Sequence, residues 1–136
     1  MSKSNTVHCI LGMLGTDVHS KGIRTLARLL DEAGGIDVNY LGEHNSVEGM
    51  ADAVAAGKAD IVGVSFSSAA YVEYTRQLIE AMKAKGVGHV PVILGGIIHP
   101  DDIPELKAMG VAGLFGAGSK TEDIIQFIQA AGAPPV

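Results

Sequence analysis

With 136 residues, 47% of them hydrophobic and 18% charged, the chain suits one domain with an ordinary core and is too apolar to stay disordered. A formal net charge of −5, no Trp and 4% aromatics leave neither the basic stripe nor the stacking side chains of a nucleic-acid surface. No stretch is apolar for long enough to span a bilayer, Met1–Asn5 lacks a signal-peptide core, and Cys9 is the only cysteine; a cytoplasmic protein without disulfides or membrane contact is expected.

Short apolar runs alternate with longer amphipathic ones. Thr6–Leu14 reads as the first strand, with Cys9 as a small buried hydrophobe, and Ser20–Ala33 as the first helix. Strand Asp37–Leu41 then precedes helix Ser46–Ala56, where Ser46 suits the N-cap. Next come strand Ile61–Ser65, helix Ala70–Lys85, strand Val90–Leu94 and helix Asp101–Met109, the last opening on Pro100 and two acids as helix starts favour. Strand Gly113–Phe115 and helix Thr121–Ala131 complete the series, with Gly34, Gly57, Gly86 and Gly110 falling at or past helix ends. Regular alternation of this kind makes a parallel sheet with helices on both faces. The expected fold is α/β, a flavodoxin-like (Rossmann-type) doubly wound sheet of five strands in the order 2-1-3-4-5. It is expected to form a single domain across residues 1–136, with its core at about 6–132.

Such sheets bind ligands at the carboxyl ends of their strands, near the point where strand order reverses. Three loops should meet there: Gly15–Gly22, Ser65–Ala70 and Gly95–Pro100. A fourth, Gly116-Ala117-Gly118-Ser119, continues their theme of small residues. Small side chains on consecutive strand ends leave a slot for something long that lies against backbone, such as a nucleotide-like tail. In the first loop, Asp17 stands two positions before His19 and Gly22 three after it. A carboxylate that holds one imidazole nitrogen fixes the tautomer and leaves the other nitrogen free to ligate a metal.

Asp17-x-His19-x-x-Gly22, Gly63-Val64-Ser65, Leu94-Gly95-Gly96-Ile97-Ile98 with Pro100, and Phe115-Gly116-Ala117-Gly118-Ser119 together resemble the cobalamin-binding domain of the methylmalonyl-CoA mutase family. The resemblance runs from about Gly12 to Ala131 and is strongest to separately encoded small subunits of acyl-CoA mutases. It implies that the dimethylbenzimidazole base leaves cobalt and that its nucleotide tail enters the domain. His19 would then be the lower axial ligand, the one metal contact, and Asp17 would orient it. Ser65 would hydrogen-bond the tail, while Gly22, Gly95, Gly96, Gly116 and Gly118 would let it lie against backbone. The cofactor implied is adenosylcobalamin. The partner implied is a large TIM-barrel mutase subunit that holds the acyl-CoA substrate, and this chain alone would catalyse nothing. One position departs from the pattern: the family's Ser-x-Leu reads Ser65-Phe66-Ser67, placing a hydroxyl at Ser67 where the family has an apolar contact.

Other readings fit the residues less well. A corrinoid methyl carrier of a methyltransferase system resembles this domain but places a helical module before it, and sixteen residues precede Asp17. Glutamate mutase small subunits are similarly short, yet Gly95-Gly96-Ile97-Ile98-x-Pro100 and Phe115-Gly116-x-Gly118 look more like the acyl-CoA group. A cobalamin sensor domain is the remaining alternative. Gly63-Val64-Ser65-Phe66-Ser67 ends in Ser rather than Gly, so it is no nucleophile elbow, and a receiver domain would need an acid where Ser65 stands. His8, His44, His89 and His99 lack metal-ligand spacing. Tyr71 and Tyr74 are expected on a helix surface or interface, Asp101, Asp102, Glu122 and Asp123 in first helical turns, and Lys120 as a solvated charge.

Overall fold

The apolar run Ile61-Val62-Gly63-Val64 lies at the centre of the sheet, covered on both faces as its composition requires. The computed structural model describes residues 7–13, 21–42, 45–57, 59–66, 71–96, 98–116 and 119–131. In chain order the elements are β1 (Val7–Gly12), α1 (Lys21–Ala33), β2 (Ile36–Tyr40), α2 (Val47–Gly57), β3 (Ile61–Phe66) and α3 (Tyr71–Ala84). They continue with β4 (Val92–Gly96), a 3-10 turn (Pro100–Asp102), α4 (Ile103–Ala108), β5 (Gly113–Phe115) and α5 (Thr121–Ala131). All pairings are parallel and the strand order is 2-1-3-4-5, as expected. Thr6, Leu14, Ser20 and Ala70, where expected elements begin or end, lie outside the described residues.

Local chemistry sets the element ends. The Ser46 hydroxyl accepts from the Gly49 amide at 2.9 Å and caps α2. The segment after α3 turns back through Gly86 at φ +82°, where the Val87 and Gly86 amides donate to the carbonyls of Met82 (2.9 Å) and Lys83 (3.1 Å). Those two bonds satisfy carbonyls that a helix end would leave bare. Lys85, just beyond, reaches Glu48 (3.1 Å) and Asp52 (2.8 Å) and ties α3 to α2.

Several ends shift by a residue or two, and β4 and the fourth helix differ most from expectation. β4 starts at Val92 rather than Val90, because the Val90 amide is engaged in a turn with the Val87 carbonyl (3.1 Å). It also runs on through Gly95 and Gly96, which pair with Ser65 and Phe66 of β3. The fourth helix is divided: Pro104 has no amide proton to donate to the Pro100 carbonyl, which accepts instead from Ile103. A 3-10 turn therefore precedes a short α4.

Alternating side chains divide the core in two. One cluster joins Ile10, Val62, Val64 and Leu94 to α2, α3 and α4 through residues such as Met50, Leu78 and Leu106. The other joins Val7, Cys9, Leu11, Ile61 and Ile93 to Leu30 of α1 and Ile128 of α5.

Candidate functional site

On the face towards α1 and α5, register places Leu11, Gly63, Ile93 and Gly113 side by side across four strands. One step nearer the carboxyl edge, Ser65, Gly95 and Phe115 form a second row. Because Gly63 and Gly95 carry no side chain, a trench runs between the larger residues. It opens into a cleft of about 540 Å³, closed at the sides by Thr25 and Leu26 of α1 and Ile124 of α5. That volume is in the range of small-molecule and cofactor sites.

The glycines of this edge have two different reasons to be glycine. At Gly96, φ is +121° and an added Cβ would stand 1.9 Å from the Phe66 carbonyl oxygen, so protein packing itself forbids a side chain. At Gly63 an added Cβ would stand 2.6 Å from Leu11 Cδ2, so there a side-chain tip rather than backbone would have to move. Gly95 and Gly116 are not constrained in this way. Added Cβ atoms there would meet only the Phe115 oxygen at 3.7 Å and the Gly96 oxygen at 3.9 Å, ordinary contact distances. What their bareness preserves is the cleft.

The lining suits a long, mostly uncharged group. Leu11, Leu26, Ile93, Phe115 and Ile124 make the wall apolar, and Phe115 is held edge-on by Phe127 at 5.5 Å. Among the described lining residues the side chains that can hydrogen-bond are those of Thr25 and half-buried Ser65, and none is charged. These residues therefore fit a nucleotide tail with a flat aromatic base: backbone to lie against, apolar walls for the ring, a hydroxyl for a polar atom.

Of the residues expected at the site, Ser65, Gly95, Gly96 and Gly116 are brought together on one wall. Gly22 is the second residue of α1, whose next turn supplies Thr25 and Leu26 to the cleft. Asp17, His19, Ser67 and Gly118 lie outside the described residues, as does His44. The remaining histidines stand apart from the cleft lining. His8 is exposed with Nδ1 3.3 Å from Asp37, His89 is exposed, and Nδ1 of His99 accepts from the Asp101 amide at 3.1 Å, capping the 3-10 turn. Cys9 is buried, and desolvation pushes its thiol up to about 12, so it stays a neutral thiol at neutral pH.

Tyr71 departs from its expected place on the helix surface. It is 4% exposed, its hydroxyl donates to the Asp102 carboxylate, and the same oxygen accepts from the His99 amide at 2.8 Å. Burial and then the Asp102 bond raise its phenol above the ordinary range. A signal was present in the sequence: Tyr71, Thr75, Leu78 and Met82 form one buried stripe at helical spacing. Tyr74 is half-buried, its ring stacked on Phe66 at 6.4 Å. Leu26 and Ile124 were likewise readable only as inward helix positions, not as cleft walls.

Residues 7–126 match the B12 binding domain family. The pivalyl-CoA mutase small subunit of Xanthobacter autotrophicus is 31% identical over 119 residues, covering 88% of this chain and 79% of its own length. The 2-hydroxyisobutanoyl-CoA mutase small subunit of Aquincola tertiaricarbonis is 27% identical over 123 residues, 90% of each chain. A crystal structure of a cobalamin-binding protein from Desulfitobacterium hafniense superposes with a TM-score of 0.78 and 23% identity, over 94% of this chain and 60% of that one. This last likeness shows the shared fold.

Proposed function

This chain belongs to the B12 binding domain family, and on that footing we propose that it is the cobalamin-binding small subunit of an adenosylcobalamin-dependent acyl-CoA mutase. The observation that carries the reading is the apolar trench at the sheet's carboxyl edge, kept open by Gly95 and Gly116 where packing does not demand glycine. The sequence match to two mutase small subunits, over 88% and 90% of this chain, supports the assignment to that class.

In this reading the chain binds and orients rather than reacts. The trench takes the displaced nucleotide tail, excluding water from it over the apolar walls of β1, β4, β5, α1 and α5. Burial of that kind contributes roughly 25 cal/mol per Å² of apolar surface. The Ser65 hydroxyl holds a polar atom of the tail, and Gly118 and Ser67 are proposed as further contacts to the cofactor. His19 would hold the cobalt through one ring nitrogen, with Asp17 accepting from the other and so fixing the tautomer. The cofactor, when bound, supplies a weak cobalt–carbon bond whose homolysis starts a carbon-skeleton rearrangement. A large TIM-barrel subunit in the same cytoplasm holds the acyl-CoA, and this single domain, residues 1–136, is inactive without it.

The test is electron paramagnetic resonance of the chain loaded with cob(II)alamin. The expected spectrum is base-off with nitrogen splitting from a protein ligand, lost in His19→Ala. Retention of the same splitting in that variant would overturn the ligand assignment. Co-purification from the native cytoplasm separates a mutase, which brings a barrel subunit, from a methyl carrier or a sensor.

A further inference from the structure

We infer that Tyr71 is a positioning residue for the tail cleft, its hydroxyl fastening the start of α3 to the turn after β4 so that Gly96 stays seated on Phe66. The inference rests on the cobalamin reading and deepens it, since Tyr71 is not among the lining residues of the cleft.

The contacts form a closed circuit. β3 ends at Phe66, and the Phe66 carbonyl oxygen occupies the space that a Gly96 side chain would need, 1.9 Å from the missing Cβ. The Phe66 ring lies 6.1 Å from the Tyr71 ring at 50°, a tilted aromatic contact on the closed face of the sheet. From Tyr71 the hydroxyl reaches the segment that leaves β4: it donates to Asp102 and accepts from the His99 amide at 2.8 Å. His99 and Asp102 follow Gly96 by three and six residues, so both bonds restrain the chain just past the cleft's glycine wall. One oxygen thus links the exits of β3 and β4, the two strands whose Ser65 and Gly95 form the trench.

General scaffolding does not need that oxygen. α3 is anchored independently by buried Leu78, Ala81 and Met82, and α4 by buried Leu106. Arg76 of α3 also pairs with Glu105 of α4, a second tie between these helices. Replacing the hydroxyl by hydrogen keeps the ring and its packing on Phe66. It leaves the His99 amide and the Asp102 carboxylate without their shared partner, and their segment is then held less firmly. A raised phenol pKa keeps the donor protonated throughout the neutral range.

The experiment compares two corrinoids on the full chain: cobalamin, and cobinamide, which has the same corrin but no nucleotide tail. In Tyr71→Phe, cobalamin affinity is expected to fall roughly tenfold, the size of one charge-assisted hydrogen bond, with cobinamide affinity unchanged. Asp102→Ala serves as a second variant with an intact Tyr71, and the same selective loss is expected. The double variant should lose little more than Tyr71→Phe alone, because that variant already lacks the Asp102 bond. Equal weakening of both corrinoids would assign Tyr71 to general scaffolding, and unchanged cobalamin binding in both variants would remove it from the cleft. Either result overturns the inference while leaving the functional reading intact. A wild-type chain that takes up no cobalamin would instead strike the functional reading itself.

Discussion

The two faces of the sheet are packed to different ends. Towards α2, α3 and α4, large side chains such as Met50, Leu78 and Leu106 are fully buried and the strands present Val62, Val64 and Leu94 without a gap. Towards α1 and α5 the same strands present Gly63, Ser65 and Gly95, and the helices stand over a cleft that Leu26, Phe115 and Ile124 line but do not fill. Both faces come from one alternating sequence, since neighbouring strand residues point in opposite directions. Close packing fills one side, while the other pairs a smaller core with an open cleft.

This division gives a crossed expectation for substitutions. Leu78→Ala on the closed face should cost about 2–5 kcal/mol of stability, through lost burial and a residual cavity. Cobalamin affinity per folded molecule should be unchanged, which chemical denaturation together with a binding titration reads directly. Gly95→Leu on the open face should do the reverse. With only the Phe115 oxygen near its new Cβ, the side chain enters the cleft and cobalamin affinity should fall roughly 100-fold, if it displaces about 100 Å² of buried tail. Its melting temperature should not fall. A stable Gly95→Leu protein with wild-type affinity would break the comparison, because the cleft would then not be where the tail goes.

Alkaline pH sharpens it further. The fold holds the Cys9 thiol neutral up to about 12, against 9.0 for an exposed one, while the unfolded chain ionises normally. Above pH 9 the unfolded state binds fewer protons than the fold, so stability is fully present below that value and declines as pH rises towards 12. The slope is up to about 1.4 kcal/mol per pH unit. Tyr71, also raised, acts in the same direction at its own higher range. Cys9→Ala should flatten part of this decline in urea midpoints measured against pH. The smallest effect expected is that of Ser46→Ala, which removes the cap of α2 and should cost about 1 kcal/mol without touching affinity.

Much of the fold was legible because periodicity is a local property. Ile61-Val62-Gly63-Val64 announces a doubly covered strand, and the capping of Ser46 and the glycine turn at Gly86 are settled within a few residues. Where β4 and α4 begin and end was less legible. The pairing of Gly95 and Gly96 with Ser65 and Phe66 spans thirty residues of chain, and the split before Ile103 depends on which carbonyl Pro104 leaves unsatisfied. At the site, small residues on adjacent strand ends marked the edge at which the cleft opens. They did not distinguish a glycine required by packing from one that leaves a vacancy.

The order of amino acids alone determined the alternation of strands and helices, the edge at which the cleft opens, and the residue types offered there, since each follows from spacing along the chain. Only the tertiary structure decided that Gly96 is bare for the sake of Phe66 while Gly95 and Gly116 are bare for the sake of the cleft. It likewise decided that Tyr71 is an interior tie rather than a surface aromatic. The physical reason is common to both. Steric room and hydrogen-bond partners are set by atoms distant in sequence, and no local pattern records how closely two strands and a returning loop approach.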